Sequence, residues 1–210
     1  MSTGDSLYGK TISQYEQFQN AAVASLVATG RLPTSCLEVG FGEADTTVRI
    51  RRVYPNCELS VVDIEMPDHH ASMMTKVDTW HQAPIESFSF PKIYDGIIAN
   101  LTLHHISRSS LIDTLKRMHD HINDDGCLVI GDLVYISEPH LRQWWNRQLQ
   151  HHRQSVMNEE GHAAFAMHCT SYEHHFHSIA EWHTMLSQAG FSTVDITWSN
   201  GISVVLVAAR

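Results

Sequence analysis

Residues 11–30 set Ile12, Tyr15, Phe18, Ala22 and Leu26 three or four positions apart, which gathers them on one face of a helix. Gly30 and Pro33 mark its end. Short apolar runs then alternate with helical patterns. The pattern predicts a strand over 35–39, a helix over 44–54 that stops before Pro55, and a strand over 58–64. A weaker strand is expected near 75–80, a loop over 83–91 and a continuous apolar strand over 93–99. A helix over 107–122 follows, and Asp124-Asp125-Gly126 turns into a strand over 127–134.

This βα alternation implies a parallel sheet with helices on both faces. The C-terminal third departs from it. Residues 138–156 read as a helix rich in Trp, Gln and Arg, with a loop to about 176 and a helix over 178–189 ended by Gly190. Strands over 192–198 and 202–208 are joined by Asn200-Gly201, a strong hairpin signal. In an open α/β sheet, ligands bind beyond the carboxyl ends of the strands. Glu38, Asp63, Asn100 and Asp132 are all expected there.

The chemistry begins at Leu37-Glu38-Val39-Gly40-Phe41-Gly42-Glu43-Ala44. Two glycines in a strand-to-helix turn let a ligand approach the backbone. A carboxylate at the tip of the next strand, Asp63, suits a ribose diol. A dinucleotide fingerprint would need a third glycine where Asp45 stands, and a carboxylate there repels a pyrophosphate.

The stretch instead resembles motif I of the class I S-adenosylmethionine-dependent methyltransferases, with Ala44 in place of the last family glycine. Tyr94-Asp95-Gly96-Ile97-Ile98-Ala99-Asn100-Leu101-Thr102-Leu103-His104-His105-Ile106 is similar to the family's fourth-strand motif. Asn123-Asp124-Asp125-Gly126-Cys127-Leu128-Val129-Ile130 and Ser187-Gln188-Ala189-Gly190-Phe191 resemble the approaches to its fifth and sixth strands. The resemblance covers about 35–208. It implies a Rossmann-like fold: a mostly parallel seven-stranded sheet with an antiparallel C-terminal strand and helices on both faces. It also implies a single domain over 1–210, with an N-terminal helical cap over 1–32 and an acceptor-side insertion over 137–177.

For the cofactor, the resemblance implies that Glu38 reaches the amino group of the methionine tail, directly or through water. Gly40 and Gly42 would admit its backbone. Asp63 would accept the ribose hydroxyls and Ile64 would pack on adenine. Gln82 and Ala83 would recognise the adenine edge, with Asp78 as the alternative, and Asn100 would lie near the sulfonium. His104 or His105 could act as a base for an acceptor that carries a proton, or simply cap the helix. Tyr15 and Tyr8 could close over the cofactor or pack on the sheet. Trp144 and Trp145 are expected to pack their helix onto the domain.

Composition narrows the partners. The net charge of −9 disfavours nucleic acid. The absence of a D/N/S-P-P-Y motif after the fourth strand argues against methylation of a base amine. No run approaches a membrane span, and Met1–Lys10 lacks a signal-peptide core. A cytoplasmic protein, monomer or homodimer, acting on a small-molecule acceptor is the expectation. Among sixteen histidines, His168, His174 and His177 are weak metal candidates. No metal signature is present, so a metal-assisted methyltransferase stays a secondary reading. A nicotinamide-dependent oxidoreductase and a non-catalytic cofactor-binding protein are the other two. Cys36, Cys57, Cys127 and Cys169 form no C-x-x-C pair, and the three that fall in or at the edges of strands are expected to behave as small buried hydrophobes.

Overall fold

A computed structural model describes residues 12, 14–65, 76–156, 159, 162 and 175–210. Seven strands form one sheet: β1 (Ser35–Val39), β2 (Glu58–Asp63), β3 (Thr79–Gln82), β4 (Tyr94–Asn100), β5 (Ile122–Leu133), β6 (Thr193–Ser199) and β7 (Ser203–Ala209). Their order across the sheet is β3-β2-β1-β4-β5-β7-β6. Pairing is parallel from β3 through β5, whereas β7 runs antiparallel to both β5 and β6. The antiparallel insertion follows from the tight turn at Asn200-Gly201, which folds β7 back on β6. Asn200 Oδ1 accepts from the Ile202 and Ser203 N–H groups and closes that turn.

Because side chains alternate along a strand, each sheet face has its own core. Leu37, Val39, Ile97, Leu128 and Ile130 face helices α3 (Arg108–Asp120) and α5 (Ile179–Gln188), where they meet Leu111, Leu115, Trp182 and Leu186. Cys36, Val61, Ile98 and Val129 face α1 (Tyr15–Ala24) and α2 (Asp45–Val53), where they meet Phe18, Ala22 and Ile50. Helix α1 buries Tyr15, Phe18, Gln19, Ala22 and Val23 at helical spacing, as its pattern predicts. Cys36, Cys57 and Cys127 are free and buried. Cys169 lies outside the described residues.

Several boundaries differ from expectation. The third strand is Thr79–Gln82, not 75–80. Register with Ser60–Asp63 fixes it there, while Asp78 is drawn off the strand by an ion pair with Arg51 and a bond from the Leu59 N–H. Strand β5 starts at Ile122, ahead of the acidic turn, because Ile122 pairs with Tyr94 before the register shifts. Helix α4 (Pro139–Val156) matches its expected span. Its Trp145 packs against Gly201, but Trp144 stays 45% exposed, so only one of the pair ties the helix down. Ser178 and Glu181 form a reciprocal capping box at the start of α5. That box, with Arg108, holds the Glu181 carboxyl down at about 2.

Candidate functional site

Strand order reverses between β1 and β4, and a cavity of about 410 Å³ opens at their carboxyl ends. Such a switch point is where an open α/β sheet accommodates a ligand. The turn after β1 forms one wall. Gly40 and Gly42 take φ of 81° and 48°. At Gly40 a Cβ would stand 2.1 Å from Thr102 Oγ1, so glycine is demanded both by conformation and by space. Ala44 also adopts a left-handed φ, 65°, as the N-cap of α2. The substitution of the family glycine therefore leaves real backbone strain.

Asp63 closes the turn from the side. Its Oδ2 accepts the Phe41 N–H at 2.6 Å and its Oδ1 accepts the Glu65 N–H at 3.0 Å. Each carboxylate oxygen keeps a further lone pair for a ligand hydroxyl. Ile64 lines the cavity with 57% of its surface exposed, an apolar platform left open. Ala83 also lines it, but its N–H is spent on the Asp63 carbonyl at 2.8 Å. Gln82 donates to the Ile64 carbonyl at 3.4 Å and is not part of the wall. The expected adenine-edge contacts at these two residues therefore lack a free Ala83 N–H. Asp78, the alternative, is committed to Arg51 and Leu59.

Glu38 is not at the strand tip. It lies one residue below, only 1% exposed, and does not line the cavity. Its Oε2 accepts from Thr47 Oγ1 and its Oε1 has no partner. Burial, reinforced by Asp63 and Asp45, pushes its carboxyl up to about 8. A direct contact with a ligand in the cavity is thus not prepared, which leaves the water-mediated form of that expectation.

Asn100 ends β4 on the α1 face and lines the cavity. Its Nδ2 donates to Gln19 Oε1 and Thr46 Oγ1, both at 3.1 Å, while its Oδ1 is buried without a partner. Gly131 makes room for that oxygen, since a Cβ there would lie 2.2 Å from it. The network continues outward. Thr46 Oγ1 donates to Gln19 Oε1 at 2.8 Å, Gln19 Nε2 donates to Tyr15 Oη at 2.9 Å, and Tyr15 Oη donates to Asp45 Oδ2 at 2.9 Å. Arg49 braces Asp45 from behind at 3.5 Å. Burial and then the Asp45 charge raise the Tyr15 phenol above its ordinary range, so it remains a hydrogen-bond donor. Gln19, Asp45, Thr46 and Thr102 escape a reading of the sequence. Their only trace is helical spacing between Tyr15 and Gln19 and the position of Asp45 after the turn.

The two histidine rings stay in contact, 4.2 Å between centroids, but meet different surroundings. His105 lines the cavity. His104 is 4% exposed and turns inward, where its Nδ1 lies 2.6 Å from Asp132 Oδ1. Asp132 itself is fully buried, and its Oδ2 has no partner. The His104 carbonyl accepts from the His175 N–H, and Phe176 packs on the His104 ring. Of the metal candidates, His168 and His174 lie outside the described residues. His177 is not helical: it bridges to Val134 and sits edge-on against Trp182. Burial pulls its imidazole below the ordinary value. No group of three or more metal-ligating side chains occurs among the described residues, nor is any helix there long and apolar enough to cross a membrane.

The sheet order, the inserted antiparallel strand and the glycine turn over a switch-point cavity define a Rossmann-like methyltransferase fold. A family profile described as a methyltransferase domain matches residues 12–196, and the chain belongs to that family. Solved structures agree in fold. A putative O-methyltransferase from Nostoc punctiforme is 17% identical with a TM-score of 0.64, over 93% of this chain and 56% of that one. Human N-acetylserotonin methyltransferase, solved with S-adenosylmethionine, is 16% identical with a TM-score of 0.64, over 91% of this chain and 51% of that one. The Burkholderia thailandensis 1,6-didemethyltoxoflavin-N1-methyltransferase, bound to its acceptor and S-adenosylhomocysteine, is 17% identical with a TM-score of 0.65, over 96% and 82%. The chain spans only 51–56% of the first three neighbours' lengths. No curated protein sequence matches it.

Proposed function

We propose that this chain transfers a methyl group from S-adenosylmethionine to a small-molecule acceptor by in-line displacement, in the cytoplasm. The observation that carries this reading is the pairing of Asp63 with the glycine turn across the switch-point cavity. The cavity's size falls within the usual range for a small-ligand site, about 300–1,000 Å³. Asp63 would hold the ribose hydroxyls, and the exposed Ile64 would cover one face of the adenine. Asn100, at the end of β4 on the cavity wall, would lie beside the sulfonium. S-adenosylmethionine supplies the electrophilic methyl group. Asp45, in the first turn of α2 and on the cavity wall, disfavours the pyrophosphate of a nicotinamide cofactor.

The residues' own work is alignment, which provides most of what a displacement on an activated methyl needs. Tyr15 and Gln19 hold α1 against the turn and shield the cavity from water. His105 is the titratable base that meets the cavity wall, and His104, locked by Asp132, fixes the segment that carries it. For an acceptor that carries a proton, His105 takes it up as the new bond forms.

Thermal unfolding with and without S-adenosylhomocysteine tests the reading. At about a hundred times its dissociation constant the ligand stabilises the fold by ~2.7 kcal/mol, and Asp63→Ala abolishes the rise in midpoint. An unchanged midpoint up to millimolar ligand overturns it.

A further inference from the structure

Beside the cofactor cavity, the strand ends carry a second surface. Residues 175–177 run between the His104–His105 turn and the end of β5. The His175 N–H donates to the His104 carbonyl at 2.6 Å, Val134 bridges to His177 in parallel, and the Tyr135 N–H donates to the His177 carbonyl at 2.9 Å. Side chains alternate along extended backbone of this kind. His177 is turned in, 5% exposed, while Tyr135 and Phe176, each 42% exposed, are turned out. Phe176 packs on the His104 ring and His104 on His105, which lines the cavity. The rings form a strip from the cavity wall towards Tyr135.

An arginine stands at the far end. The Arg142 guanidinium lies over the Tyr135 ring, 4.6 Å from its centre, and its Nη2 donates to the Ser137 carbonyl at 3.1 Å. These contacts fix the group in place without balancing its charge. Glu138, one helical turn earlier, accepts the Leu141 N–H instead, and among the described residues no carboxylate forms an ion pair with Arg142. The bias extends along α4. Residues 139–156 hold Arg142, Arg147 and Arg153 and no Asp or Glu, in a chain of net charge −9. Neighbouring backbones ~4.8 Å apart put the two ends of the strip on the order of 10 Å from each other, which side chains reaching inward reduce to about one substituted ring.

Resting on the methyl-transfer reading above, we propose that the acceptor is a planar aromatic acid, its ring along Phe176 and Tyr135 and its carboxylate on Arg142. Arg142 is then a specificity-determining residue. A guanidinium stays charged at any working pH and presents planar donors to a carboxylate, and aromatic side chains favour a stacked or edge-on ring. A single guanidinium balances one charge, which favours a carboxylate over a phosphate dianion. The nucleophile lies at the other end of the ring, beside His105. When it is a phenol, its oxygen gains the methyl group as the C–S bond breaks, its proton passes to His105, and S-adenosylhomocysteine leaves.

The experiment compares steady-state methylation of 4-hydroxybenzoate and 3,4-dihydroxybenzoate by the whole chain with that of their methyl esters, which keep the ring and lose the charge. The acids show KM values roughly tenfold or more below those of the esters, the factor expected for a hydrogen bond to a charged group. Arg142→Gln brings the ratio of acid to ester KM toward one with kcat for the acid held within about threefold, as loss of uniform binding requires. Arg142→Lys keeps the charge and restores part of the ratio. Esters that match or exceed the acids overturn the proposal. So does an equal rise of all KM values in Arg142→Gln, which marks a tether of α4 and not a contact with the anion. The thermal shift with S-adenosylhomocysteine is recorded on the same preparation. A shift without turnover of any of the four compounds overturns this acceptor class and leaves the cofactor reading standing, whereas no shift removes both.

Discussion

The Tyr15 phenol donates a 2.9 Å hydrogen bond to the Asp45 carboxylate, thirty residues further along the chain. This one contact joins the first residue of α1 to the first residue of α2 at the wall of the cavity. Together with Arg49 it fixes the direction of that carboxylate, and it is relayed through Gln19 to Asn100.

Removing the phenol oxygen tests that relay. Tyr15→Phe keeps the ring in the core but strands both Asp45 Oδ2 and Gln19 Nε2. The cost is about 1.5–3 kcal/mol, the range for a hydrogen bond to a charged group. Chemical denaturation should show a lower midpoint with an unchanged slope. Titration should show cofactor affinity reduced several-fold, while a variant that binds as tightly as the parent would show that α1 has no part in the site.

Glu38 predicts a dependence of stability on pH. Its folded carboxyl titrates at about 8, chiefly through burial, against an ordinary value near 4.3. The folded state therefore favours the protonated form. Its contribution is fully present below the ordinary value and is lost as pH rises through about 8, up to a limit of about 5 kcal/mol. Unfolding measured across that window should show the parent losing stability relative to Glu38→Gln, which carries no titrating proton. Parallel curves for the two proteins would refute the assignment.

Ala44 tests the strained turn. In the left-handed region an L-residue costs roughly 1–2 kcal/mol, which Ala44→Gly relieves. The gain is offset by the loss of a buried methyl group and by the greater freedom of glycine in the unfolded chain. The net change should stay within about 1 kcal/mol of zero. Ala44→Val should instead lose more than ~2 kcal/mol, since a β-branched residue is a genuine outlier at positive φ. Similar unfolding midpoints for the alanine and valine forms would show that the turn relaxes.

His104 and Asp132 form a buried pair at 2.6 Å. Truncating either side chain to alanine breaks the buried pair and should cost about 3 kcal/mol or more. The double variant should cost clearly less than the sum. A double-mutant cycle that is additive within ~0.5 kcal/mol would mean that the two side chains are not coupled.

Much of the architecture can be read without coordinates. Alternating apolar runs, the Asn200-Gly201 turn and the glycine turn after β1 are all local signals, because backbone conformation and period depend on near neighbours. The same holds for Asp63, whose place at a strand tip follows from the length of β2. Asp45 was legible only as a misfit to a pyrophosphate site. Its bond to Tyr15 spans two helices that periodicity treats separately. Glu38 and His104 show the limit most sharply. Each sits at the expected end of a strand or turn, yet one residue of register turns Glu38 beneath the wall, and contacts with Asp132 and Phe176 draw His104 inward while the adjoining His105 reaches the cavity.

By itself the amino-acid order determined the element sequence, the parallel sheet with its antiparallel insertion, and the family. Those depend on period, turn chemistry and motif spacing, which are properties of neighbouring residues. Only the tertiary structure decided which polar groups share the cavity and which are buried behind it. Side-chain direction at a strand end is fixed by register with the adjacent strand, and burial is fixed by whatever helix packs above. Charge follows the same rule: five carboxylates scattered between residues 43 and 86 become one field only where the fold closes them around a common space.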